Sequence, residues 1–162
     1  MAKEQKTNAM RILDKLKINY TLNTYHCDEF IDGIHIADML GQPYEKTFKT
    51  IVCHGKSGNY FVFVVPIDKS IDLKKASKSV GEKSMELLPV KDINKVTGYI
   101  RGGCTPVGMK KQYQTVIHKS ACDFNEIIIS GGRIGTQLFI SPDDLCKVVN
   151  GKFDDIVMVA DV

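Results

Sequence analysis

Two apolar runs, residues 48–53 and 60–65, flank the segment 54–59, in which Gly55 and Gly58 mark a turn. Runs of β-branched and aromatic side chains on both sides of a glycine turn favour a β-hairpin, and the remaining elements have to pack around its apolar faces. Lys49 interrupts the first run. Period-two alternation places it on the face of Ile51 and Cys53, so either its stem reaches water or its ammonium meets an anionic or carbonyl partner.

The 162 residues, 43% hydrophobic and 25% charged, suit one domain over 1–162 with a sizeable core. The longest apolar stretches, 60–65 and 127–129, fall far short of a membrane span, and residues 1–6 lack the apolar region of a signal peptide. A cytoplasmic protein without membrane contact is expected. Its five cysteines, an odd number at wide spacings without a Cys-x-x-Cys pair, read as reduced thiols. Neither a metal nor a cofactor is called for.

Read along the chain, a helix begins at Asn8, capped by Thr7, with Ala9, Ile12, Leu13 and Leu16 as its buried stripe. A strand at 20–25, a loop at 27–33 and a short helix at 34–40 ended by Gly41 precede the hairpin. Pro66 stops its second strand. Asp72 then caps a lysine-rich helix that Gly81 closes, and a strand at 85–88 and a small helix at 91–97 ending at Gly98 follow. Strands are expected at 114–118, 126–130 and 136–140. Ser141 caps a last helix with Pro142 in its first position, Leu145, Val148 and Val149 on its buried side, and Gly151 at its end. Helices and strands do not alternate regularly, so the fold class is α+β around a mixed, strongly curved sheet.

A net charge of +3 does not by itself announce a nucleic-acid binder, but the cations are clustered. Lys74, Lys75 and Lys78 crowd one helix, Lys110 and Lys111 follow a glycine-rich segment, and Arg101 and Arg133 each adjoin a Gly-Gly pair. Such groups suit phosphate contacts, although Lys74, Lys75 and Lys78 also suit the solvated face of a helix that buries Leu73, Ala76 and Val80. Segment 98–108, with Gly102, Gly103, Pro106 and Gly108, is a shaped loop whose unencumbered N–H groups suit an anion or a developing oxyanion. Ser130-Gly131-Gly132 reads either as a second such loop or as a hairpin turn. Segment 130–135 lacks the Lys-Ser/Thr ending of a P-loop and is not a dinucleotide fingerprint.

Four segments together resemble the YbaK/EbsC family of aminoacyl-tRNA editing proteins, related to the editing insertion domain of prolyl-tRNA synthetase. They are Phe48-Lys49-Thr50, the lysine-rich 73–81, the loop from Thr97 through Gly102-Gly103 to Pro106 and Gly108, and Ser130-Gly131-Gly132; in order and spacing they span most of the chain. The resemblance implies a closed, barrel-like mixed sheet with flanking helices. It implies hydrolysis of the ester between a wrong amino acid and the terminal adenosine of tRNA, most specifically cysteine on tRNA(Pro). Mischarged tRNA is then the partner, bound by its acceptor end, with prolyl-tRNA synthetase as a candidate second partner.

Residue by residue, Lys49 matches the family's functional lysine, and Gly102 and Pro106 match its Gly-x-x-x-Pro loop, whose amides, Gly102 and Gly103, face the reacting carbonyl. Tyr25, Thr50, Ser130, Gly131 and Gly132 fall at substrate-pocket positions. The family's further pocket aromatic corresponds either to Phe30 or, counting back from Gly41, to the site of Asp32. Arg101 and Lys110 join Lys74, Lys75 and Lys78 as candidate tRNA contacts. The family chemistry is substrate-assisted: the cysteine thiolate attacks its own ester, and no protein base is needed. Accordingly His26, His35, His54 and His118 form no Ser-His-Asp or Cys-His pattern, and Cys104 reads as a small apolar residue. The alternatives are a deacylase for another small amino acid such as alanine, a non-catalytic tRNA- or nucleotide-binding module, and a cell-surface or regulatory protein.

Overall fold

A computed structural model describes residues 5–159. In chain order its elements are α1 (Asn8–Lys15), β1 (Tyr20–Thr24), α2 (Gly33–Leu40), β2 (Phe48–Gly55), β3 (Tyr60–Pro66), α3 (Leu73–Val80), β4 (Met85–Leu87), α4 (Ile93–Thr97), β5 (Gln114–His118), β6 (Ile127–Ser130), β7 (Thr136–Ile140), α5 (Pro142–Val148) and β8 (Lys152–Asp154). Local chemistry explains most boundaries. Thr7, Asp32, Asp72 and Ser141 each accept a hydrogen bond from a backbone N–H in the first turn of the helix that follows.

Three details differ from the sequence reading. Leu16 is 53% exposed and Met10 takes its place in the core, because α1 stops at Lys15 and Leu16 becomes its C-cap. The last helix ends at Val148 with Val149 as its C-cap, Asn150 lies in the left-handed region (φ 50°), and the Gly151 N–H returns to the Cys146 carbonyl at 2.9 Å. Beyond it β8, too short and too mixed to leave a periodic signal, adds to β5 in parallel.

The hairpin is the centre of a five-stranded sheet of order β4-β2-β3-β5-β8, in which β2 is antiparallel to β3 and β4 while β3, β5 and β8 run parallel. A second, antiparallel sheet has the order β1-β7-β6. The mixed α+β architecture is therefore as expected, but the sheet is not closed. Among the described residues the two sheets are joined by one parallel bridge, Thr47 to Ile128, and the outer strands β4 and β8 are only three residues long.

Alternation along the hairpin sorts its side chains into two cores. Phe48 and Val64 face a core shared with α1, the second sheet and α5, built on Leu13, Ile129, Leu138 and Leu145. Cys53, Phe63 and Val65 face the other core, beneath α3, with Ala76, Val116 and Ile156. Lys49, opposite Val65, lies on this second face, and Thr50, opposite Val64, lies on the first.

Thr7 ties α1 to the rest of the fold. Its hydroxyl accepts from Met10 N at 3.3 Å and donates to the Gly131 carbonyl at 2.6 Å. Thr7→Ala removes the cap and leaves that carbonyl without its donor, so unfolding in urea should become easier by about 1–3 kcal/mol. Thr7→Ser should keep most of the stability. Equal stability of the alanine and serine variants would contradict this role for the hydroxyl.

Candidate active site

The two glycine segments, 30 residues apart in sequence, meet in space. A Cβ placed on Gly103 would lie 2.7 Å from Arg133 Cα, and one on Gly102 would lie 3.0 Å from Phe30 Cδ2 and 3.2 Å from Ile134 Cγ1. Only glycines allow the loop to settle this closely onto the turn between β6 and β7. Gly102 also adopts φ 86°, a region that costs a side-chain-bearing residue roughly 1–2 kcal/mol.

The Gly102 and Gly103 amides are not equivalent. Gly103 N donates to the Ile100 carbonyl at 2.9 Å, which closes a turn, whereas the Gly102 N–H has no partner among the described residues. The expectation of two oxyanion donors is corrected accordingly: Gly103 serves close packing, and Gly102 is left with a free donor. Pro106, between fully buried Thr105 and Val107, shapes the foot of the loop. That foot is held by Asn8 Nδ2, which donates to Gly108 O at 2.7 Å, and by the Tyr99 hydroxyl, which donates to Val107 O at 2.6 Å.

Beside this loop, an open cleft of about 390 Å³ is lined by Tyr25, His26, Cys27, Arg133, Ile134 and Thr136, among others. Tyr25 N donates to Gly135 O at 2.9 Å, and burial raises the pKa of its phenol. Phe30, 39% exposed, carries the Arg101 guanidinium 4.0 Å above its ring centroid. Of the two positions considered for the pocket aromatic, Phe30 is the one at the loop; Asp32 caps α2 and bonds His35 Nδ1 at 2.7 Å.

Lys49 does not line this cleft; its neighbour Ile67 adjoins the 27–33 segment that reaches the loop. The Lys49 Nζ donates to the Ile67 carbonyl at 3.4 Å, and Gly33 abuts the Ile67 side chain, with Phe30 reaching Gly102 from the same segment. The carbonyl alternative for its ammonium is therefore realised. Burial lowers the Lys49 pKa, and the nearby Asp68 carboxylate opposes that shift.

The other expected site residues are placed as follows. Thr50 points to the opposite face of β2 from Lys49, as pleating requires. Ser130, Gly131 and Gly132 form the hairpin turn of the two readings: Gly131 bonds Thr136 O and accepts from Thr7, and Ser130 Oγ accepts from Gly132 N. Lys75 is structural, with its Nζ 3.0 Å from Asp155 Oδ2 and 2.9 Å from Val157 O, while Lys74 and Lys78 stay exposed on α3. Arg101 and Lys110 are exposed as expected. Among the described residues no three His, Cys, Asp or Glu side chains gather as a metal site. Burial pushes the Cys104 thiol up to about 11, so at neutral pH it is not a thiolate.

A model of the aminoacyl-tRNA editing domain matches residues 34–148. Over 94% of both chains the sequence is 38% identical to an Enterococcus faecalis protein with the provisional name Cys-tRNA(Pro)/Cys-tRNA(Cys) deacylase EbsC. The chain belongs to the aminoacyl-tRNA editing family. Another similarity, 35% identity over 75 residues, links 46% of this editing domain to 13% of the proline–tRNA ligase of Fervidobacterium nodosum. A solved structure described provisionally as a trans-editing enzyme for prolyl-tRNA synthetase superposes with a TM-score of 0.78 at 18% identity, over 96% of this chain and 100% of its own. That likeness speaks for the fold. No helix among the described residues is long and apolar enough to cross a membrane.

Sequence reasoning named Arg101 and Phe30 separately but missed their stack, and it missed His26, Cys27 and Ile134 as cleft walls. Only the shared glycine punctuation of 98–108 and 130–135 hinted that the editing domain packs these loops together. Gly103→Ala should destabilise the domain by about 1–3 kcal/mol, because the added methyl meets backbone that cannot rotate away. Since the clash is with the main chain, adding Arg133→Ala should not restore stability. Recovery of the wild-type melting temperature in that double variant would show that the contact is not made by the backbone.

Proposed function

We propose that this editing domain is a trans-acting deacylase that removes cysteine from tRNA(Pro) by letting the substrate's own thiol attack its ester. The observation that carries the reading is a half-buried ammonium, Lys49, whose partner Ile67 touches the 27–33 segment, together with a glycine loop in which Gly102 is among the amides without a partner in the described residues. The cysteinyl thiolate, its proton lost to solvent, adds to the ester carbonyl carbon. Negative charge develops on the carbonyl oxygen, where the Gly102 N–H and the Lys49 ammonium stabilise it. Collapse breaks the bond to the ribose oxygen, which takes the electron pair and a proton. tRNA leaves, and water opens the resulting cyclic thioester to free cysteine.

The protein thus supplies position and charge. Cysteine supplies the nucleophile. Exposed Lys74, Lys78 and Arg101 are the proposed phosphate contacts, prolyl-tRNA synthetase is the candidate source of the mischarged tRNA, and the cytoplasm is the proposed location. A tRNA-binding module without activity would bind the same RNA and leave its ester intact.

Deacylation of Cys-tRNA(Pro) by the purified protein tests this directly. Lys49→Ala should lower kcat/KM by about 10²–10³ while the protein stays folded. Lys49→Arg should not rescue it, because a planar fork does not reproduce a compact ammonium. Cys104→Ser should retain activity within about tenfold, since its thiol is not ionised. The active form of Lys49 is charged and burial favours the neutral amine, so the enzymatic rate should fall at a pH below the lysine's ordinary 10.5. A folded Lys49→Ala protein with wild-type turnover would remove Lys49 from the mechanism.

A further inference from the structure

At the far end of the β2–β3 hairpin from Lys49, three rings stand in series. His54 and Tyr60 form a cross-strand pair with ring centroids 5.1 Å apart, and Tyr60 meets Tyr113 edge-on at 5.9 Å. The Tyr113 hydroxyl donates to the Val96 carbonyl at 2.6 Å, which anchors the last ring. Tyr60 and Tyr113 border a groove of about 380 Å³ that Lys111 also lines, with Lys56 in the adjoining turn and Lys110 next in sequence. All three lysines are exposed, and among the described residues none forms an ion pair.

Two carboxylates lie near. Glu82 Oε1 is turned to the hairpin backbone, accepting from Ser57 N at 3.1 Å, and Glu86 stands across from His54 on the β4 side, on the same face of the sheet as His54 and Tyr60 and one strand further from the groove. On the groove side Tyr60 and Tyr113 share their walls with Lys111, which forms no ion pair among the described residues.

We infer that this groove is a second binding site, which holds the RNA strand leading to the ester; the inference rests on the function proposed above. Half-exposed rings beside unpaired cations match single-stranded nucleic acid, whose bases stack on the rings and whose phosphates meet the lysines. Lys49 and His54 are five residues apart in one strand, about 17 Å at ~3.4 Å per residue, and pleating sets them on opposite faces of β2, so the link between the rings and the ester runs by way of the 102–113 segment rather than along the strand. The segment that starts at Gly102 runs through Lys110 and Lys111 to Tyr113, so an RNA strand leaving the ester and following that segment arrives at the rings.

Binding of deacylated tRNA(Pro) transcript, measured by fluorescence anisotropy over a salt series, tests the site without requiring hydrolysis. The double variant Lys56→Glu, Lys111→Glu should bind at least tenfold more weakly at low salt and reduce the slope of log K against log salt by about two. Tyr60→Leu should weaken binding by about fivefold or more with the slope unchanged, because stacking releases no counterions. Melting curves confirm that each variant is folded, and His54→Ala, at an exposed position, serves as a second stacking probe if Tyr60→Leu is not. Wild-type affinity in the folded lysine variant, or in the folded stacking variant, would overturn the inference. So would loss of binding to prolyl-tRNA synthetase in variants that keep full RNA affinity, since the groove would then be a protein dock. If the wild-type protein binds tRNA through these residues but cleaves no ester, the groove stands and the proposed hydrolysis falls.

Discussion

The backbone of Gly103 pressed against the backbone of Arg133 is the contact on which the site depends. With a Cβ position only 2.7 Å from Arg133 Cα, no other residue lets the 98–108 loop rest on the β6–β7 turn. From this contact the rest follows in order. Gly102 is carried into a left-handed conformation beside Phe30 and Ile134, and its N–H is left without a partner among the described residues. The N-terminus of α1 holds both segments from the other side, through Thr7 to Gly131 and through Asn8 to Gly108. A helix cap and a hairpin turn thereby become parts of one clamp, and a free amide is the product.

Lys49 contributes the opposite kind of constraint. An ammonium in a strand interior loses hydration, and a single long hydrogen bond to Ile67 O at 3.4 Å with a nearby Asp68 replaces it only in part. Such a cation attracts a further negative charge more strongly than an exposed lysine does, because less water screens it. An ester that develops an oxyanion close by would supply that charge for the lifetime of the transition state. A ground-state ester is neutral and gains less, which is the difference that accelerates a reaction.

Features written in neighbouring residues were legible in the sequence. The hairpin, the caps at Thr7, Asp72 and Ser141, the loop character of 98–108 and the odd placement of Lys49 all follow from local propensity and alternation. Features created by distant residues were not. Lys75 looked like its neighbours Lys74 and Lys78 until Asp155, 80 residues on, engaged it. Phe30 and Asp32 were equivalent by counting, and only the cation stack of Arg101 and the packing of Gly102 separate them. The resemblance carried a closed sheet, whereas the five-stranded sheet ends at β4 and β8 without closing. Gly103 was read as a donor because a glycine amide is sterically accessible; that it closes a turn with Ile100 depends on the loop's three-dimensional path.

The central claim is that the protein positions and polarises an ester while the substrate provides the nucleophile. The most direct measurement compares single-turnover deacylation of tRNA(Pro) carrying cysteine with the same tRNA carrying 2-aminobutyrate, which replaces the thiol by a methyl group of similar size. Binding of the two should be nearly equal, because shape and RNA are conserved. Cleavage of the cysteinyl ester should be faster by at least about 10², the scale expected when a well-placed nucleophile is removed. Equal cleavage rates would mean that the protein activates water, and the substrate-thiol account would be wrong.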